Sequence, residues 1–222
     1  DLLYKNQENG DSVIDIRKYT GIMRQNCYRL LRLVNNLIDI TRIDSGFYQL
    51  SMSNQNIVST IEEICMSVVE YIQSKGIQFE FDTDAEEKIM AFDPDKMERV
   101  MLNLLSNAIK FTNTGGSIKV HMHDMGDKVR IAVKDTGIGV PEDQQEAIFD
   151  RFKQVDESLS RNSEGSGIGL SLVKSIVQLH GGNVLLHSEV GKGSEFIIEL
   201  PVRITQEEAA PKHNHNMHRS QV

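Results

Sequence analysis

The chain has 222 residues, 39% of them apolar and 25% charged, with a formal charge of −8. Its length allows one well-packed domain plus a smaller appendage. The acidic balance argues against nucleic acid or an anionic membrane surface as the main partner, because both need a basic face.

No apolar run approaches the ~20 residues that cross a bilayer. Asp1-Leu2-Leu3-Tyr4-Lys5 lacks the layout of a signal peptide, so a soluble cytosolic chain, cut from something larger, is expected. Asn9-Gly10 is a turn signal, which makes residues 1–8 the end of a preceding helix. Over residues 14–45, Met23, Cys27, Leu30, Val34, Leu37 and Thr41 recur at alternating intervals of four and three, a heptad stripe on one long helix. Leu31, Leu33, Ile38 and Ile40 widen that stripe toward a bundle. Cys27 and Cys65 lie in apolar helical patterns without metal-like spacing and read as buried thiols. Ser45-Gly46 closes the helix.

From Phe47 onward strands alternate with helices. The pattern predicts a strand over 47–52, a helix over 57–74, strands over 77–83 and 88–91, and a helix over 94–113. Strands over 117–124 and 128–135 follow, joined by a hairpin at Met125-Gly126-Asp127. A short helix over 142–148, a helix over 167–180, and strands over 183–188 and 194–200 complete the series. Helices on one face of a mainly antiparallel sheet make an α+β protein, a two-layer α/β sandwich. Residues 205–222, with His213, His215 and His218, lack an apolar period and read as a disordered tail.

Three stretches can carry chemistry, although taken singly they also read as an exposed polar stripe, a turn between two elements and an ordinary helix-start loop. The helix opening at Asp93-Pro94 turns Met97, Val100, Met101, Leu104, Leu105 and Ala108 inward, and sets Asn103, Asn107 and Lys110 on another stripe at i, i+4 and i+7. Two carboxamides and an ammonium in line can meet a hard cation and phosphate oxygens, and Mg²⁺ held with phosphates needs only one or two protein oxygens. The strand ending at Asp135 runs into Thr136-Gly137-Ile138-Gly139. A buried carboxylate accepts hydrogen bonds only, so it suits the exocyclic amine of adenine and would repel the carbonyl of guanine. Gly165-Ser166-Gly167-Ile168-Gly169-Leu170 opens a helix whose free amides and positive dipole end favour an anion. Gly191-Lys192-Gly193 reads as a hairpin turn. Residues 150–164, with Arg151, Lys153 and Arg161, read as a lid over a nucleotide, anchored at its base by Phe149 and Phe152.

In this order, along roughly 100 residues, these elements resemble the ATP-binding domain of sensor histidine kinases, and the likeness covers residues 47–204. It implies a Bergerat-type sandwich whose N box is Asn-Leu-Leu-Ser-Asn-Ala-Ile-Lys-Phe-Thr from Asn103 to Thr112. By that likeness Asn107 ligates Mg²⁺, Asn103 supports it, and Lys110 meets phosphate. Asp135 binds the adenine amine. Gly137, Ile138, Gly139, Gly165, Ser166, Gly167, Ile168, Gly169, Leu170 and Ser194 shape the ATP pocket, and Arg151 and Phe152 mark the F box. Asn103, Lys110 and Arg151 would be the catalytic group. The 14–45 helix resembles the second helix of the family's dimerisation and phosphotransfer hairpin, which implies a homodimer. The resemblance further implies a response-regulator receiver domain as partner. The expected domains are a partial hairpin at 1–45, an ATP-binding domain at 46–204 and a tail at 205–222.

One departure stands out. The family's acceptor histidine, on the first hairpin helix, has no counterpart among His121, His123, His180, His187 and the tail histidines, so the acceptor is expected upstream of Asp1. Related hydrolysing ATPases place a Glu where Asn103 stands. An amide cannot serve as a general base at neutral pH, which favours phosphoryl transfer over hydrolysis. A non-catalytic nucleotide-binding dimerisation module is the other alternative.

Overall fold

The computed structural model describes residues 12–151 and 167–205. The first element, α1 (Ser12–Asp44), is the long helix that the heptad stripe predicts. It ends as expected at Gly46, whose φ of 72° only glycine adopts freely. Phe47 and Gly46 donate backwards to Arg42 and Ile43, the paired bonds of a Schellman ending. The same ending recurs at Gly76 and Gly181. The stripe residues Met23, Leu30, Val34 and Leu37 are 45–63% exposed. Cys27 is exposed as well, contrary to the expected buried thiol, because none of the described residues covers its helix face; Cys65 is buried as expected.

The expected strand over 47–52 does not form. Phe47 is 81% exposed, and the Ser51 amide is held by the Asp93 carboxylate at 2.8 Å. The strand comes later, as β1 (Ser53–Asn56), four polar residues with no apolar alternation to announce them. Next comes α2 (Ile57–Ser74), with the predicted bounds; the Asn56 side chain accepts the Val58 amide and caps it. It is followed by β2 (Gln78–Thr83), β3 (Ile89–Phe92) and α3 (Pro94–Phe111). α3 stops two residues short of prediction because Thr112 is extended. The hairpin β4 (Ser117–Asp124) and β5 (Lys128–Asp135) turns at Gly126, as read. The short helix expected over 142–148 is two 3₁₀ turns, Glu142–Gln144 and Ala147–Phe149. Finally come α4 (Gly169–Leu179), β6 (Asn183–Glu189) and β7 (Gly193–Pro201).

β1 pairs with β3, and the other five strands form one sheet in the order β2-β4-β5-β7-β6, antiparallel except for the parallel pair β2 and β4. The inward residues of β4, β5 and β7, among them Val120, Ile131 and Ile198, meet α2, α3 and α4 in one core with Ile61, Leu104 and Val173. The α3 residues predicted to face inward are all buried. The α+β two-layer sandwich is thus as read, with charged side chains such as Lys119, Glu80, Arg130 and Glu199 paired on the open face. Entry and exit of the sandwich lie together: Asn54 exchanges hydrogen bonds with the Thr205 backbone at 2.8 and 2.9 Å, and Ala91 donates to the Arg203 carbonyl. No described helix is long and apolar enough to cross a membrane. The expected helix end at 1–8, the lid beyond Arg151 and the tail after Thr205 lie outside the described residues.

Candidate nucleotide-binding site

Strand periodicity places the key carboxylate. Along β5, Val129, Ile131, Val133 and Asp135 alternate onto the inward face, so Asp135 stands where the core pattern calls for an apolar side chain and is 4% exposed. Its Oδ1 accepts the Gly137 amide at 2.8 Å. Burial pushes the carboxyl above the ordinary carboxylate range, and hydrogen bonds from the Gly137 and Ser194 backbones offset this only in part. The group is an acceptor with capacity left over.

The glycines around it are there for close approach. A Cβ on Gly137 would lie 2.5 Å from the Phe111 carbonyl oxygen and 2.7 Å from the Asp135 carboxylate. The position stays bare because the C-terminus of α3 presses on it, a sharper demand than room for a purine. Gly139 and Gly193 both have positive φ, and a Cβ on Gly193 would meet the Asp135 carbonyl at 1.9 Å. Ile138 donates to Phe111 and accepts from Gly191, so the 137–139 turn is held between α3 and the β6–β7 hairpin. Ser188 and Gln145 brace the same turn through Val140. Neither was legible in the sequence, nor was the Phe111 carbonyl, since a single hydroxyl, amide or backbone oxygen leaves no periodic trace.

The asparagine stripe meets the second glycine-rich loop. Asn103 is buried, and its amide nitrogen donates to the Arg99 carbonyl at 2.8 Å. Its oxygen would lie 3.0 Å from a Cβ on Gly169, the first residue of α4. Buried Ile168 precedes that helix without any side-chain cap, which leaves its first turn suited to an anion. Gly167 has a φ of 66°, and Leu170 is half-buried. Asn107 is half-buried one turn beyond Asn103, and Lys110 is exposed with its ammonium 4.6 Å from the Phe111 ring centre. Along one edge, then, lie Asp135 with its glycine turn, the Asn stripe and the start of α4.

Arg151 goes elsewhere: it forms a two-point ion pair with Asp44 at the end of α1. Arg99 on α3 is similarly engaged by Asp39 and Asn36 of α1. Between α1 and α3 runs a groove of about 1760 Å³ lined in part by Asn103, Ser106 and Lys110. Phe149 packs edge-on against Phe196 with ring centres 6.3 Å apart. Phe152, Gly165 and Ser166 fall outside the described residues. Among the described residues no group of three or more His, Cys, Asp or Glu side chains could hold a metal ion.

Residues 92–204 match the family described as histidine kinase-, DNA gyrase B-, and HSP90-like ATPase. The chain belongs to this ATPase family. Its kinship within the family is with the histidine kinases, whose ATP-binding catalytic portion it represents. It is 40% identical over 206 residues to hybrid signal transduction histidine kinase D of Dictyostelium discoideum, covering 90% of this chain and 13% of that protein. It is 32% identical over 198 residues to the circadian input-output histidine kinase CikA of Synechococcus elongatus, covering 88% and 26%. Among solved structures, full-length ShkA in complex with AMPPNP superposes with a TM-score of 0.74 at 26% identity, covering 92% of this chain and 42% of that one. The histidine kinase ThkA in complex with the response regulator TrrA superposes with a TM-score of 0.70 at 27% identity, covering 90% and 54%. The chain therefore spans only a minor part of the curated relatives it matches.

Proposed function

We propose that this edge of the sandwich binds Mg·ATP for transfer of the γ-phosphoryl group to a histidine imidazole nitrogen and onward to an aspartate of a response-regulator receiver domain. The observation that carries the reading is Asp135, a buried carboxylate with backbone amides rather than a cation as its partners, at a strand end kept bare by Gly137 and Gly193. Such a group suits an amine donor and repels a carbonyl. The close approach of Asn103 to the start of α4 supports placing the phosphates along the edge that the two share. Asn107 would hold Mg²⁺ with Asn103 in support, Lys110 would meet a phosphate oxygen, and the amides of Gly169 and Leu170 would receive the phosphate tail. When bound, the ion supplies charge neutralisation. The protein's own part is positioning and electrostatics, which phosphoryl transfer mainly requires. Arg151 would join the phosphates only after leaving Asp44. AMPPNP on ShkA and TrrA on ThkA support a nucleotide and a receiver domain as partners. The exposed stripe of α1 supports a homodimer through that helix.

Calorimetry of ATP binding tests the site. Asp135→Asn leaves one oxygen to share among the Gly137 amide, the Ser194 amide and the adenine amine, and is expected to cost ~2–4 kcal/mol of affinity. Unchanged affinity overturns the assignment. Transfer is tested by mixing the chain with a separately made dimerisation domain that carries an acceptor histidine. Labelled phosphohistidine is expected, and tight ATP binding without label would favour a passive module.

A further inference from the structure

His180 makes none of the nucleotide contacts proposed above, yet it is only 4% exposed. It is the C-cap residue of α4. Its Nδ1 lies 2.8 Å from the Ile176 carbonyl, which can only accept, so Nδ1 carries the proton. Nε2 is then a lone pair, and it accepts the Asp93 backbone amide at 3.1 Å. Asp93 in turn is the N-cap of α3: Oδ1 accepts the Lys96 amide at 3.1 Å and Oδ2 accepts the Ser51 amide, in the connector from α1, at 2.8 Å. One neutral imidazole thus joins the end of α4, the start of α3 and the connector. The two helices approach again where Gly169 faces Asn103, about 16 Å away along α4 at 1.5 Å per residue. Two pins at opposite ends fix both the slide and the splay of one helix on the other.

We propose that His180 is a positioning residue for the nucleotide site: as the Nδ1–H tautomer it pins α4 to the cap of α3 and so holds the phosphate loop against the asparagine stripe, and protonation at Nε2 releases that pin. The inference rests on the nucleotide reading given above. A proton on Nε2 would set one buried donor against another, the Asp93 amide, with no acceptor between them. Two charged groups come close from other elements, one to the ring and one to its neighbour Gly181. The Asp93 carboxylate on α3 favours the imidazolium, although its oxygens already hold two amides. The Arg203 guanidinium, on the segment after β7, lies against the neighbouring Gly181. Burial prevails and holds the imidazole below the usual histidine range. The stability that the joint contributes is therefore complete above the unfolded value of 6.5 and is lost as pH falls from there through the lower folded value.

The test is calorimetric ATP binding with Mg²⁺ by the full chain between about pH 7.5 and 5.5 for wild type, His180→Gln, His180→Ala and Asp135→Asn. Glutamine can accept from Asp93 and donate to Ile176 without titrating. His180→Gln should bind like wild type at the upper pH. At the lower pH wild type should fall about two- to threefold relative to it, because a depressed pKa leaves the ring only partly protonated there and apparent affinity scales with the competent fraction. Titration of ATP and of Asp135 cancels in that ratio. His180→Ala should bind weakly throughout. Parallel profiles for wild type and His180→Gln, or wild-type affinity in His180→Ala, would overturn the proposal; if the alanine variant does not fold, the glutamine ratio alone decides. Wild-type affinity in Asp135→Asn would instead remove the nucleotide reading, whereas a loss there with a flat ratio would remove only the role of His180.

Discussion

Two helices of this chain carry the same kind of apolar periodicity and meet opposite fates. On α3, Met97, Val100, Met101 and Leu104 are fully buried by the sheet and its neighbours. On α1, Met23, Leu30, Val34 and Leu37 are 45–63% exposed, and among the described residues the docked ones lie in the last turns, at Asn36, Asp39 and Ile40. A helical stripe specifies that a face is to be covered, but it does not say by what. The sandwich completes its own core, whereas α1 presents a face whose cover is not among the described residues.

Thiol chemistry gives the largest contrast. Burial pushes the Cys65 thiol up to about 12, so at pH 8 its labelling by a thiol reagent should be roughly a thousandfold or more slower than that of exposed Cys27, since only the thiolate reacts. If copies pair through α1, protection of Cys27 should appear as protein concentration rises. Comparable rates for the two thiols in dilute protein would break the comparison. Truncation of the two stripes comes next: Leu104→Ala should cost about 2–5 kcal/mol in urea unfolding, and Leu37→Ala less than ~1 kcal/mol under dilute, monomeric conditions. Equal costs would mean that α1 is covered within one chain.

A smaller effect runs in the unusual direction. Because burial raises the Asp135 pKa in the folded state, the stability associated with this group is present below its unfolded value of 3.8 and lost as pH rises through the folded value. Without nucleotide at neutral pH, Asp135→Asn should therefore raise the melting temperature even as it weakens ATP binding. A lowered melting temperature would show the carboxylate to be a structural group. The smallest change is expected at Asp44→Ala: the Arg151 pair is exposed, and exposed pairs add little to stability at physiological salt.

The legible parts of the sequence were those where one physical rule acts alone. The bounds of α2 followed from its apolar spacing, the ends of α1 and α4 from glycines that take positive φ, and the inward face of α3 from its 3.6-residue period. Asp135 was legible as chemistry because a carboxylate at the end of an apolar alternation contradicts the pattern around it. β1 was not legible, since Ser-Asn-Gln-Asn pairs with β3 through backbone alone. Nor was the destination of Arg151, because an ion pair between residues 107 apart leaves no periodic trace. His180 read as a helix end before two glycines; its tie to Asp93 spans 87 positions and exists only in the folded chain.

The clasp between Asn54 and Thr205 has a consequence for how such a domain can be used. With its first strand and its last described residues tied side by side, the sandwich begins and finishes at one corner, and everything between is a closed loop of chain. A unit wired in this way can be inserted between other modules without stretching either neighbour, as domains with adjacent ends generally can. Thr205 is held beside Asn54, so the last described residue lies next to the strand that follows the connector from α1.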